Sequence, residues 1–163
     1  MLILGIDPGL KRTGYAILKM GSRKPIVVEG GIIRTKTETS LADRVHEIGR
    51  NLHEILESHK IDTLAIEQVF SLPKNPKSAL LMAHARGTIL YVARTHNLNV
   101  THYTPTQVKR ILTGSGQAPK DQVELAVRQE LGFKSQLEPH DLADAFAIAI
   151  CHFYHHQQNL LAS

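Results

Sequence analysis

The chain has 163 residues, 42% of them apolar and 21% charged, which suits one soluble globular domain and argues against a disordered or membrane-spanning protein. Nineteen basic against 15 acidic residues give a formal charge of +4, and the single cysteine, Cys151, excludes an internal disulfide. No apolar run reaches bilayer length and the apolar start lacks a basic leader, so the expected location is the cytoplasm, with no membrane partner.

Residues 2–6 read as a buried strand, and Asp7-Pro8-Gly9 then turns the chain. Asp7 therefore belongs at the open end of a strand, either as a turn cap or as a site carboxylate. Lys11 and Arg12 place positive charge beside it, as phosphate handling requires. A second strand over 14–18 follows. Short β-branched runs over 26–28 and 31–33, separated by Glu29-Gly30, fit one antiparallel strand with a bulge. Residues 40–59 carry Leu41, Val45, Ile48, Leu52, Ile55 and Leu56 at helical spacing, which predicts an amphipathic helix lying on a sheet. The strand at 63–66 runs into Glu67, a second carboxylate at a strand terminus.

The run SLPKNPK over 71–77 reads as an exposed loop carrying Lys74 and Lys77. The helix predicted over 78–96 has apolar residues on more than one face, which fits either packing within its own domain or contact with a partner subunit. A strand at 100–103 leads to Thr104-Pro105, a helix start whose helix carries Lys109 and Arg110. A glycine-containing loop at 114–119 and a helix at 120–131 follow. The final helix is predicted over about 139–158, leaving 159–163 as a short, frayed polar tail. Asp141 and Asp144, spaced i and i+3, share one face of that helix, and Ala143, Ala145, Ala147 and Ala149 let it approach a sheet closely. His152, His155 and His156 read as a solvated helix end.

Asp7, Glu67, Asp141 and Asp144 are all oxygen donors, with no cysteines or histidine pair at zinc spacing to accompany them. Such donors suit Mg²⁺, with Mn²⁺ as a substitute, and two ions can clamp the attacking water and leaving oxygen of a phosphodiester displacement. His140 is an alternative ligand or proton carrier. Assigning four acids to a site doubles the surplus of basic residues elsewhere, as a phosphate-binding surface needs.

The segments GIDPGLKRTGYA, AIEQVF, SALLMAHARG, TPTQVKRILTGSGQAPKDQV and HDLADAFAIAICH closely resemble the RuvC family of Holliday junction resolvases, over nearly the whole chain. The resemblance implies an α/β, ribonuclease H-like domain over residues 1–158. Its sheet would be mixed and five-stranded, with the first three strands antiparallel and helices on the flanks. The resemblance further implies a magnesium-dependent endonuclease that binds a four-way DNA junction as a homodimer. Paired symmetric nicks would leave 5′-phosphate ends that ligase can seal, in recombination and repair, alongside the branch-migration proteins RuvA and RuvB.

By motif, Asp7, Glu67, Asp141 and Asp144 match the family's catalytic metal-binding acids, and Lys109 and Lys120 match lysines that hold or neutralise the scissile phosphate. Phe70 matches an aromatic that stacks on an unpaired base, next to the loop lysines Lys74 and Lys77, and Arg86-Gly87 falls on the dimer-forming helix. The two prolines of the 71–77 loop and Phe146, where Leu is common, are departures. Competing readings are a ribonuclease H-like nuclease for RNA-DNA hybrids, a junction-binding module without chemistry, and an actin-like ATPase. Four intact acids speak against the second, and the third needs a second copy of the domain, which these residues do not contain.

Overall fold

A computed structural model of the chain describes residues 1–68 and 76–162. Strands β1 (Leu2–Asp7), β2 (Arg12–Lys19) and β3 (Ile26–Arg34) pair antiparallel in sequence. On the other side of β1 the sheet continues in parallel through β4 (Thr63–Glu67) and β5 (Asn99–Tyr103), giving the order β3-β2-β1-β4-β5. Helices α1 (Leu41–Ser58) and α2 (Pro76–Thr95) cover one face, and α3 (Pro105–Thr113), α4 (Lys120–Leu131) and α5 (His140–Ala162) cover the other. This is the ribonuclease H-like arrangement that the motifs implied.

Side-chain alternation along the strands decides what each face receives. Leu4 and Ile6 of β1, with Leu64 and Ile66 of β4, enter the core under α1 and α2. Ile3 and Ala65 point the opposite way, into the core under α5, and the same parity carries Asp7 and Glu67 to that face. The parallel ladder matches Ile6 with Ile66, so the two acids are the next residues on neighbouring strands. The alternation of side chains along two buried strands thereby delivers both carboxylates to one end of one face.

Helix α5 lies against that face at close range because the strands beneath it carry glycine. A Cβ at Gly5 would stand 2.5 Å from the carbonyl oxygen of Ala145, and one at Gly14 would stand 2.0 Å from that of Asp141. No side chain fits there. The contact at Gly14 seats the first turn of α5, and with it Asp141, over the end of β2. Gly14→Ala is therefore expected to cost about 1–3 kcal/mol in urea unfolding. It should also displace Asp141 more than Gly31→Ala, whose nearest neighbour is the Tyr15 side chain rather than α5.

Several boundaries differ from the sequence reading. Strand β2 starts at Arg12 rather than 14, because antiparallel pairing with β3 extends to Arg12 opposite Arg34. The break between 26–28 and 31–33 is a single strand in which Ile17 pairs with Glu29 and Leu18 with Val27, leaving Val28 as the extra residue of a bulge. Pro76 and Lys77 belong to α2, where proline suits a first turn. Helix α5 continues to Ala162 through a run with no glycine or proline, so 159–162 are helical, not a frayed tail.

His152 is buried, contrary to the solvated helix end expected for it. Its Nδ1 lies 2.8 Å from the Tyr103 hydroxyl and its Nε2 3.3 Å from Thr63 Oγ1, which ties α5 to β5 and β4. Among the described residues, no helix is long and apolar enough to cross a membrane.

Candidate active site

Asp7, Glu67, Asp141 and Asp144 line one open cleft of about 440 Å³, together with Lys109 and Lys120. Asp7 is set by the turn that follows it: the Thr13 hydroxyl, fully buried, donates to the Gly9 carbonyl over 2.8 Å. Lys109 comes from α3, whose start is fixed by a capping box between Thr104 and Gln107. Lys120 opens α4, and its Nζ lies 3.6 Å from Asp144 Oδ2. Sheet, two short helices and the long helix each contribute at least one charged group.

Burial and mutual repulsion shape the charges. Asp7 is pushed from 3.8 up to about 8, first by burial and then by Asp144, Glu67 and Asp141, with Lys120 opposing. Glu67 is raised by burial and by Asp144, while Lys120 and Lys109 hold it down. Burial also raises Asp144, against the pull of Lys120. Without a bound cation the cleft therefore keeps a proton on Asp7 at neutral pH, a proton that a bound cation would replace.

The donor set fits a hard divalent cation. Asp141 Oδ2 lies 2.9 Å from Arg12 Nε, yet it is buried and accepts no hydrogen bond with proper geometry, so its lone pairs are left for another partner. Among the described residues no three acidic, histidine or cysteine side chains stand close enough to form a ready-made cage. Arg12 is paired with Asp141 over 2.9 Å, and Lys120 lies 3.6 Å from Asp144.

Other sequence-predicted residues are distributed around this cleft. Arg12 is paired with Asp141, and its side chain remains 45% exposed. Lys11 and Arg12 line a neighbouring pocket of about 400 Å³ with Arg44 and Asp141. His140 is exposed and lines a different pocket, of about 450 Å³, with Arg12, Arg34 and Glu138. Lys77 is exposed at the start of α2. Phe70 and Lys74 lie outside the described residues. Gly87 faces open space on α2, whereas Arg86 turns inward, its Nε donating to the Glu67 carbonyl over 3.2 Å.

Two cations escaped the sequence reading. Arg34 comes opposite Arg12 only through strand register, and Arg44 is held beside the Lys11 turn by a 3.0 Å bond from its Nε to Thr35 Oγ1. The amide of Thr35 in turn donates to the Lys11 carbonyl over 3.1 Å. Neither contact has a local sequence signal.

Comparison with known proteins agrees with this geometry. The sequence profile described as Crossover junction endodeoxyribonuclease RuvC matches residues 3–152. A protein of that description from Rhodopirellula baltica is 44% identical over 152 residues, which cover 93% of this chain and 85% of that protein. Another, from Campylobacter concisus, is 42% identical over 153 residues, 93% of this chain and 96% of that one. A solved structure of T. thermophilus RuvC in complex with Holliday junction substrate superposes with a TM-score of 0.91 at 32% identity, covering 98% of this chain and 96% of that chain.

Proposed function

The chain belongs to the RuvC family of crossover junction endodeoxyribonucleases, and on that premise we propose that it resolves four-way DNA junctions by paired symmetric nicks, in recombination and DNA repair. The observation that carries this reading is the meeting of Asp7, Glu67, Asp141 and Asp144 with Lys109 and Lys120 in one open cleft.

Asp7, Glu67, Asp141 and Asp144 are the residues that would hold the metal, Mg²⁺ by preference of an all-oxygen set and Mn²⁺ in its place. Metal bound by these acids would supply the positive charge that an in-line phosphodiester hydrolysis leaving a 5′-phosphate requires, with two ions as the expected number. Lys109 and Lys120 offset charge on the scissile phosphate as point charges. Lys120, 3.6 Å away, also pulls Asp144 toward its anionic form against the effect of burial. Arg12, on Asp141, orients that carboxylate before any substrate arrives. Phe70 serves as a platform for an unpaired base near the crossover, with Lys74 and Lys77 on adjoining backbone.

The outer side of α2 exposes Leu80 and Tyr91, at 65% and 72%, with Gly87 between them. We assign this stripe to a homodimer, whose two-fold axis would place two clefts on an open junction. RuvA and RuvB are the partners, and the cytoplasm the place, that family membership implies.

Arg34, Arg12, Lys11 and Arg44 form a basic path along the strand ends beside the acids. Replacing Arg34 and Arg44 together with Ala is expected to weaken junction binding about 10-fold and to reduce the salt dependence of log Kd by about two. Gel-shift titrations at several salt concentrations measure both. An unchanged salt slope would remove these residues from the DNA path.

The test of the function is strand-by-strand mapping of products from a mobile four-way junction, with Mg²⁺ and with chelator, beside linear duplex and RNA-DNA hybrid. Paired ligatable nicks confined to the junction are expected. Cutting of the hybrid alone would keep the acids and change the substrate.

A further inference from the structure

Arg86 sits on the helix assigned to the dimer face, but its guanidinium points into the sheet. Its Nε donates to the Glu67 carbonyl over 3.2 Å, and its Nη2 lies 2.6 Å from Nδ1 of His102. His102 is on β5, paired with Ile66, the residue before Glu67. One side chain of α2 therefore reaches both the end of β4 and the strand beside it.

The carbonyl that Arg86 holds belongs to the peptide unit joining Glu67 to Gln68. The N–H of that same unit donates to the Tyr103 carbonyl over 2.7 Å. Both ends of the peptide plane are thus fixed, one by β5 and the other by Arg86. Fixing that plane fixes ψ of Glu67, at the point where the strand ladder stops and backbone restraint would otherwise end. The Cα–Cβ direction of Glu67, and so the reach of its carboxylate, follows from it.

A direct electrostatic role is not what the site shows. The cations that bear on the Glu67 carboxylate are Lys120 and Lys109. The guanidinium is half-buried, and desolvation disfavours its charge. It gives up part of its hydration for a carbonyl and an imidazole, not for a carboxylate. Such an arrangement adds little stability for the hydration lost, but it specifies geometry.

We propose that Arg86 is a positioning residue, which acts through the backbone of Glu67 to hold its carboxylate in the orientation that binds divalent metal, with His102 orienting Arg86. The inference rests on the reading of Glu67 as a metal-holding acid. It also makes α2, the proposed dimer helix, a structural neighbour of the chemistry through one side chain.

The experiment measures Mn²⁺ binding to the DNA-free protein by electron paramagnetic resonance, alongside Mg²⁺ dependence of cleavage, junction affinity in chelator and melting temperature. Arg86→Gln is expected to raise the metal concentration for half-saturation about 10-fold and to lower turnover by a similar factor, with junction affinity unchanged. Arg86→Lys, which can still donate to the carbonyl, should recover part of the loss. His102→Ala should weaken metal binding about 3-fold, because it removes only the support of the guanidinium.

A fall in melting temperature with normal Mn²⁺ binding in both Arg86→Gln and His102→Ala would overturn the inference and make Arg86 a structural brace. Glu67→Gln, run in parallel, separates the two levels. If it is dead while the Arg86 variants bind Mn²⁺ normally, the inference alone falls; if it cuts normally, the reading of Glu67 falls and takes the inference with it.

Discussion

Glu67→Gln is expected to lower single-turnover cleavage of a four-way junction by at least about 10³-fold, on the order of 4 kcal/mol of transition-state stabilisation. Glutamine preserves the volume and hydrogen-bonding reach of the side chain and removes its charge. The strand end should therefore survive, since the Gln68 amide still bonds to Tyr103 and Arg86 still holds the carbonyl. Junction affinity measured in chelator should stay within about 2-fold or tighten, because one fewer negative charge faces the phosphates. Loss of binding together with cleavage would point to a folding defect, and retained cleavage would remove Glu67 from the site.

Without divalent metal, the protein is expected to lose stability as pH rises from about 6.5 to about 8. Asp7 carries the effect: its carboxyl is pushed from 3.8 up to about 8 by burial and by the neighbouring acids. The native state then binds that proton more tightly than the unfolded chain does. Its stability contribution is greatest at acid pH and declines as pH climbs between those two values.

His152 acts in the opposite sense at lower pH. Burial depresses its imidazole from 6.5 to about 4, so the unfolded chain protonates first and stability falls as pH drops through that interval. The two groups offset each other below 6.5, and above it the acids act alone. One proton of difference changes stability by about 1.4 kcal/mol per pH unit, so the loss approaching pH 8 is roughly 2 kcal/mol, or about 4–8 °C in Tm. Saturating Mg²⁺ should flatten the curve. Asp7→Asn should do the same without metal, melting higher than the native protein at pH 8 while having no nuclease activity. A metal-free melting temperature independent of pH in this interval would refute the shared-charge account of the cleft.

The sheet and its two acids were legible because their causes are local. The short apolar runs in LILGID and TLAIE, and the Asp7-Pro8-Gly9 turn, place a carboxylate at each strand end without knowledge of the rest of the chain. The i, i+3 pair on α5 was legible for the same reason. What brings the pairs together was not. Gly5 and Gly14 are visible in the sequence, but that Ala145 and Asp141 press on them depends on how α5 crosses the strands.

The errors share this origin. His152 looked solvated because its partners, Tyr103 and Thr63, lie 49 and 89 residues away in the chain. The pairing of Arg12 with Asp141 was not legible either, because the two are neighbours only after folding. The inward turn of Arg86 is a rotation about a helix whose apolar residues cover more than one face, and periodicity does not resolve it.

The seating of α5 on the glycines of β1 and β2 couples folding to the assembly of the acids. That one docking event closes the apolar face of the sheet and brings Asp141 and Asp144 to Asp7 and Glu67. A nascent or damaged copy in which α5 has come away loses its core and half its acids in the same step. The four acids thus become one site only in a chain that has completed its fold, because the contact that closes the core is also the contact that assembles the cleft.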